Sequence, residues 1–141
     1  MFDNSGFVAF ADHAGTEGWS SFVYSNELEN LLPQFDYGFG CATCGYRSRK
    51  ADLFCVSALR KGAIGYMGAV ENMYGHHMLN EFLDEILING ESIGYAFKIG
   101  KNKEARYDWK TPVPDVSYLR DKYGAHDILI GDPTFKGDFG K

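Results

Sequence analysis

The feature that most constrains the fold is the alternation of short apolar runs with longer amphipathic segments. Short apolar runs bounded by turn residues are typical of buried strands, and apolar residues at i, i+3 and i+4 are typical of helices. Parallel strands need crossover connections, which are usually helices. The alternation therefore predicts an α/β fold, with a mostly parallel sheet that carries helices on both faces.

Four strands and four helices are expected in this chain. The strands are predicted at 7–11, 35–41, 63–68 and 127–130. The helices are predicted at 26–32, 51–61, 78–87 and 92–99, and the proline-containing stretch 101–114 is predicted to be a loop. The helix at 26–32 would begin with an Asn26/Glu29 capping box, and the strongly periodic helix at 78–87 would end before Gly90.

Composition narrows the class of protein. The 141 residues suffice for about one domain, and 45% hydrophobic residues can form a core. The formal net charge is -5, and a negative protein is repelled by the phosphates of a nucleic acid. A nucleic acid partner is therefore not expected. No apolar stretch is long enough to predict a membrane span, and the first residues have no signal-peptide pattern.

A histidine and a cysteine follow the first two predicted strands. His13 comes after the first strand and Cys44 after the second, with one predicted helix between them. Carboxyl ends of parallel strands meet at one sheet edge, where ligands bind in folds of this kind. A thiolate with a nearby imidazole can act as nucleophile and general acid–base. The alternative is that Cys44 is a buried core thiol and His13 an ordinary strand-end residue.

Several short motifs carry a family resemblance. They are 12–19 (DHAGTEGW), 40–46 (GCATCGY), 54–55 (FC), 62–68 (GAIGYMG) and 129–134 (LIGDPT). In their order and spacing, over about residues 7–135, the chain resembles the gingipain family of cysteine peptidases. The resemblance implies a caspase-like (caspase-haemoglobinase) fold and hydrolysis of peptide bonds by a cysteine-type endopeptidase.

The resemblance also implies roles for individual residues. Cys44 matches the nucleophile of the family and His13 its catalytic histidine. The oxyanion would be bound by backbone amides of Ala14, Gly15 and Cys44, although Ala14 stands where the family usually has glycine. No cofactor or metal is implied, and the expected partner is a peptide or protein substrate.

Two assignments stay open within the resemblance. Cys41 could replace Cys44 as the nucleophile if one residue were inserted in the alignment, whereas Cys44 keeps the 11-residue step to Cys55. Cys55 itself is expected to be a core residue. Trp19 and Tyr74 match positions that line the substrate pocket in the family, and the alternative for Trp19 is an ordinary core anchor.

The resemblance further bears on domain organisation and compartment. The family sheet has strands before the one that carries the histidine, so residues 1–141 are expected to form one partial domain that lacks its N-terminal strands. We expect such a chain to be marginally stable and weakly active or inactive alone. The family would place the protein outside the cell or at its surface.

Two other classes of function compete with the peptidase. One is a catalytically inactive caspase-like interaction module. The other uses Cys41 and Cys44 as a C-x-x-C pair, for thiol redox chemistry or, with His76 and His77, for zinc binding. A structural zinc site usually has four ligands, and the sequence contains a single C-x-x-C pair.

Overall fold

The computed structural model describes residues 6–19, 22–31, 33–45, 53–71, 78–106 and 127–137. The strands, in chain order, are β1 (Phe7–Ala11), β2 (Ala14–Gly15), β3 (Gly18–Trp19), β4 (Val23–Tyr24), β5 (Phe35–Phe39), β6 (Gly65–Ala69) and β7 (Asp127–Gly131). The helices are α1 (Phe54–Arg60), α2 (Leu79–Leu83), which continues as a π-helical segment at Asp84–Ile88, and α3 (Ile93–Arg106).

A four-stranded sheet forms the centre of the molecule, in the order β1-β5-β6-β7. Strand β5 pairs in parallel with β1 on one side and with β6 on the other. Strand β7 pairs with β6 in the antiparallel direction, with Asp127 opposite Ala69. The expected α/β fold with a mostly parallel sheet is therefore confirmed.

Side chains of β5 and β6 divide between two apolar cores, one on each face of the sheet. Phe35 and Tyr37 pack into the core that contains Phe82 of α2, while Tyr66 of β6 belongs to the opposite core, with Phe54 of α1. Successive strand residues point to opposite faces, so a strand that is buried on both faces reads as a nearly continuous apolar run. Helices consequently cover both faces, as the alternation predicts.

Glycines end two of the helical segments. Gly62, just after α1, has a φ of 116°, and Gly90, after the π-helical segment, has a φ of 67°. Glycine adopts this left-handed conformation without a Cβ penalty, which makes it a common residue just past a helix end. The predicted stop at Gly90 is thus confirmed.

Two predicted elements are wrong. No helix forms in the described part of 26–32; instead, Glu27 closes a turn, with the Tyr24 amide donating to Glu27 Oε2 at 2.8 Å. Residues 101–106, predicted as loop, extend α3, where Lys101 pairs with Glu104 at 2.8 Å. The remainder of that predicted loop, 107–114, lies outside the described residues.

A second, three-stranded sheet is made of β2, β3 and β4, each two residues long. Strands this short carry no alternating pattern, which is why the sequence did not predict them. The sheet places Trp19 against the core, where its ring stacks on Phe10 with centroids 4.7 Å apart. No helix in the described ranges is long and apolar enough to cross a membrane.

One carboxyl group is buried in the core beneath this small sheet. Asp36 is 3% exposed, and Gln34 Nε2 donates to its Oδ1 at 2.6 Å. Burial raises the pKa of Asp36 to about 6, against the opposing effect of the Gln34 hydrogen bond. The folded protein therefore holds this proton more tightly than the unfolded chain does.

Two isoleucines of the π-helical segment provide a matched test of the packing. Ile86 is 2% exposed and packs against the sheet, whereas Ile88 is 69% exposed. We expect Ile86→Val to lower the free energy of unfolding by about 1 kcal/mol, because a buried methylene is lost. Ile88→Val should change it by less than about 0.5 kcal/mol. Urea denaturation measures both, and equal effects would contradict the burial of Ile86.

Substitution of Asp36 tests its ionisation. The protonated carboxyl is the form that favours folding. Its contribution to the free energy of unfolding is fully present below about pH 4, which is the pKa of Asp36 in the unfolded chain. The contribution is lost as the pH rises through the pKa of the folded protein, near 6. Asp36→Asn mimics the protonated form, so it should match wild type at pH 4 and exceed its free energy of unfolding by about 3 kcal/mol at pH 7.5. Denaturation at both pH values measures this; a variant less stable at pH 7.5 would contradict the buried carboxyl.

Candidate active site

His13 and Cys41 lie at the same level of the carboxyl edge of the sheet. Strands β1 and β5 are neighbours, and their last paired residues are Ala11 and Phe39. His13 follows Ala11 by two residues, and Cys41 follows Phe39 by two. The register thus brings the two residues out of the sheet side by side, whereas Cys44 comes three residues later in the turn.

Gly40 allows the two strand ends to approach closely. A Cβ atom on Gly40 would lie 2.9 Å from the Asp12 carbonyl oxygen and 3.2 Å from the Ala14 nitrogen, and it would overlap the Ala14 Cβ. The residue before Cys41 therefore packs against both neighbours of His13. Gly40 is not among the predicted site residues, although a glycine directly before a cysteine at a strand end is a visible signal in the sequence.

The histidine is on the surface of the molecule. His13 is exposed, and its own amide donates to Asp12 Oδ1 at 2.6 Å. This bond holds the backbone at the point where the chain leaves β1 and turns into β2. The imidazole is thus open to solvent and to a bound substrate.

Three hydrogen bonds shape the turn at residues 40–45. The amides of Ala42 and Cys44 donate to the carbonyl oxygens of Glu71 and Ala69 at 3.0 and 2.8 Å, and the Gly45 amide donates to Ala42 at 2.9 Å. Ala42 has a φ of 51°, which costs an L-residue about 1–2 kcal/mol. The turn is thus held against the end of β6, and this tertiary anchoring offsets the backbone strain.

Cys44 has the surroundings of a core residue. It is 2% exposed and belongs to the same apolar core as Cys55. Burial raises the pKa of the Cys44 thiol, and its interaction with Cys55 raises it further, so the thiolate is disfavoured. Because its amide is also bonded to Ala69, these surroundings argue against the predicted roles of Cys44 as nucleophile and as oxyanion donor.

Cys41 is the cysteine nearest the surface. All three cysteines of the chain lie in described segments, and none forms a disulfide; Cys41 is half-buried, whereas Cys44 and Cys55 are buried. Cys55 is 1% exposed in the core, as expected. Accessibility to a substrate therefore favours Cys41, the alternative nucleophile in the sequence analysis.

The predicted oxyanion residues after the histidine lie beside the turn. Ala14 and Gly15 form β2, paired with Trp19 and Gly18 of β3. The close approach described above puts the Ala14 nitrogen next to Gly40. Of these two residues, Ala14 is the one whose nitrogen approaches Gly40, the residue before Cys41.

Trp19 is enclosed in the core. It is 2% exposed, its Nε1 donates to the Tyr66 hydroxyl at 3.1 Å, and its ring lies 5.0 Å from that of Phe54. These contacts favour the core-anchor alternative for Trp19 over a pocket wall. Tyr74, the other predicted substrate residue, lies outside the described residues.

The proposed zinc ligands also fall partly outside the described residues, since His76 and His77 are not among them. Within the part of the chain that is described, no group of three or more His, Cys, Asp or Glu side chains is arranged to hold a metal ion. The C-x-x-C cysteines differ in environment, because Cys41 is half-buried and Cys44 is buried in the core.

Comparison of folds places this architecture in a known class, the caspase-like α/β fold, as expected from the sequence. The solved structure of gingipain R, an Arg-specific cysteine proteinase, matches with a TM-score of 0.75 and 15% identity, covering 98% of this chain and 35% of that chain. A second solved structure, described as a protease, matches with a TM-score of 0.72 and 14% identity, covering 95% and 35%. The chain thus spans about a third of the length of each.

The sequence comparisons add no family assignment. No protein-family model matches the chain, and no curated protein matches it. At these levels of identity, the structural likeness shows the fold alone. A peptidase activity therefore has to be argued from the residues at the sheet edge.

Alanine at two glycines tests the close approach of the strand ends. Gly40→Ala should lower the free energy of unfolding by about 1–3 kcal/mol, because its Cβ would overlap Ala14. Gly15→Ala is the matched control, since no atom lies within 4 Å of the added Cβ, and we expect a change below about 1 kcal/mol. Urea denaturation of both variants measures the difference, and a neutral Gly40→Ala would refute the packing of Gly40 on Ala14.

Proposed function

We propose that this chain is a cysteine-type endopeptidase domain, in which Cys41 is the nucleophile and His13 the general acid–base. The observation that carries the proposal is their placement, each two residues beyond the last pair of the neighbouring strands β1 and β5. The caspase-like fold, shared with gingipain R and another protease, supports the reaction class.

Cys41 is preferred to Cys44 on physical grounds. A cysteine peptidase needs a thiolate that a substrate carbonyl can reach. The Cys44 thiol is enclosed, with its pKa raised first by burial, whereas Cys41 is half-buried at the edge where His13 is exposed. The Cys44 assignment from the sequence stays an alternative that the test below separates.

Acylation would start with proton transfer from the Cys41 thiol to the His13 imidazole. The Cys41 sulfur then forms a bond to the carbonyl carbon of the peptide, and the carbonyl oxygen takes the negative charge. When the tetrahedral intermediate collapses, the carbon–nitrogen bond breaks and the His13 imidazolium gives its proton to the leaving amine.

The oxyanion needs backbone donors beside Cys41. We assign the Ala14 amide to this role, because its nitrogen lies close to Gly40, where the ends of the two neighbouring strands approach each other. Gly15 is the second candidate donor. The Cys44 amide is the least suited of the three predicted donors, since it donates to Ala69 at 2.8 Å.

Deacylation would reverse the roles of the same two residues. His13 takes a proton from a water molecule, which attacks the thioester carbon, and the Cys41 sulfur leaves as a thiolate. The substrate is a peptide or protein, and no cofactor enters any step. Gingipain R is Arg-specific, so a peptide series that begins with arginine before the cleaved bond is the first choice for an assay.

Alkylation of the folded chain tests the pair without requiring turnover. A peptidyl chloromethyl ketone should label the protein once, at Cys41, by attack of the thiolate on the chloromethyl carbon. Cys41→Ala should abolish the label, and His13→Ala should slow labelling at pH 6 by about 100-fold or more, because the general base is lost. Peptide mapping by mass spectrometry locates and times the label.

Cys44→Ala is the matched control in the same turn. It should be labelled within about threefold of the wild-type rate, since Cys44 lies in the core. A label found on Cys44 would transfer the nucleophile to that residue. A label at Cys41 whose rate is unchanged in His13→Ala, or no label at all, would contradict the peptidase proposal.

A further inference from the structure

Two buried cysteines take no part in the proposed peptidase reaction. Cys44 is 2% exposed in the turn after β5, and Cys55 is 1% exposed in the first turn of α1. Both belong to the same apolar core. A buried cysteine packs as a small apolar residue, and two cysteines in one core can in addition react with each other.

Backbone hydrogen bonds hold the two cysteines in one part of the core. The Cys55 amide donates to the carbonyl oxygen of Thr43 at 3.3 Å, so the start of α1 is bonded to the residue before Cys44. The Cys44 amide is in turn bonded to Ala69 of β6. With both backbones held in this way, the two side chains enter the same apolar core, where each thiol shifts the pKa of the other.

We propose that Cys44 and Cys55 are a redox-active dithiol, which a small hydroperoxide converts to a disulfide between the turn at 40–45 and α1. The pair differs from the C-x-x-C pair considered from the sequence. Cys41 is half-buried at the edge of the sheet beside the strand end of His13, whereas Cys44 and Cys55 are buried in the same core. The oxidant is a hydroperoxide because only a very small molecule reaches thiols this enclosed.

The chemistry begins at Cys55, whose pKa is lowered by hydrogen bonding with the Cys44 thiol, although burial opposes this effect. Its thiolate attacks one oxygen of hydrogen peroxide, the O–O bond breaks, and the departing hydroxide takes up the released proton as water. Cys55 is then a sulfenic acid.

The second step closes the disulfide. The Cys44 sulfur attacks the Cys55 sulfur, the S–O bond breaks, and the hydroxyl group leaves as water with the Cys44 proton. Two thiols have given up two electrons and two protons, and one peroxide has become two waters. The new bond closes a loop of 11 residues between positions 44 and 55.

Oxidation of the whole 141-residue chain tests the dithiol. The folded protein is treated with hydrogen peroxide, alkylated with N-ethylmaleimide and digested with pepsin, and the peptides are mapped by mass spectrometry. We expect a Cys44–Cys55 cross-link that dithiothreitol reverses, with Cys41 alkylated or oxidised singly. The cross-linked protein should also unfold at a temperature higher by on the order of 5 °C, because the unfolded chain is constrained.

Single variants define which thiols are required. Cys41→Ala should keep the cross-link, while Cys44→Ala and Cys55→Ala should each abolish it. A Cys41–Cys44 disulfide, sulfinic acid at Cys44 or Cys55 without a cross-link, or a cross-link that forms only in urea would each overturn the proposal. If a core variant does not fold, the wild-type peptide map alone decides. This readout is separate from labelling by the chloromethyl ketone, so either proposal can fail without the other.

Discussion

The pairing of β5 with strands on both sides is the constraint on which the rest of the structure depends. Its parallel register with β1 sets Phe39 opposite Ala11 and so determines where the two strands end at the carboxyl edge of the sheet. The same strand sends Phe35 into one core and Asp36 to the opposite face, where it lies with Trp19 and Phe54. A shift of one residue would exchange these faces and separate His13 from Cys41, so the core and the candidate site share one register.

The hydrogen bonds between the 40–45 turn and the end of β6 place Cys41 and Cys44 in different environments. The bonds to Ala69 and Glu71 direct Cys44 inward and leave Cys41 at the edge. Burial then raises the pKa of the Cys44 thiol and disfavours the anion that a nucleophile needs. Two thiols only three positions apart in the chain thus lie in different surroundings, Cys41 half-buried at the edge of the sheet and Cys44 in the core.

Elements long enough to show a repeating pattern of apolar residues were predictable from the sequence, and the two-residue strands were not. The strand at 35–41 and the helix ending before Gly90 follow from patterns that local propensity and packing both favour. The predicted helix at 26–32 failed because Glu27 bonds to the Tyr24 amide and closes a turn, while Leu28 is buried in the core. The extension of α3 past 100 was missed because Lys101, polar in sequence, is stabilised there by Glu104 and by Asp127 at 3.7 Å.

The sequence by itself determined the α/β architecture and the placement of His13 and the cysteines after two strands of the sheet, because strand positions follow from side-chain pattern. Only the tertiary structure decided which cysteine lies in the core and that Trp19 is enclosed there. The physical reason is that the direction of a turn residue depends on backbone hydrogen bonds to a distant strand, here Ala69 of β6. No local pattern around Cys41 and Cys44 encodes that contact.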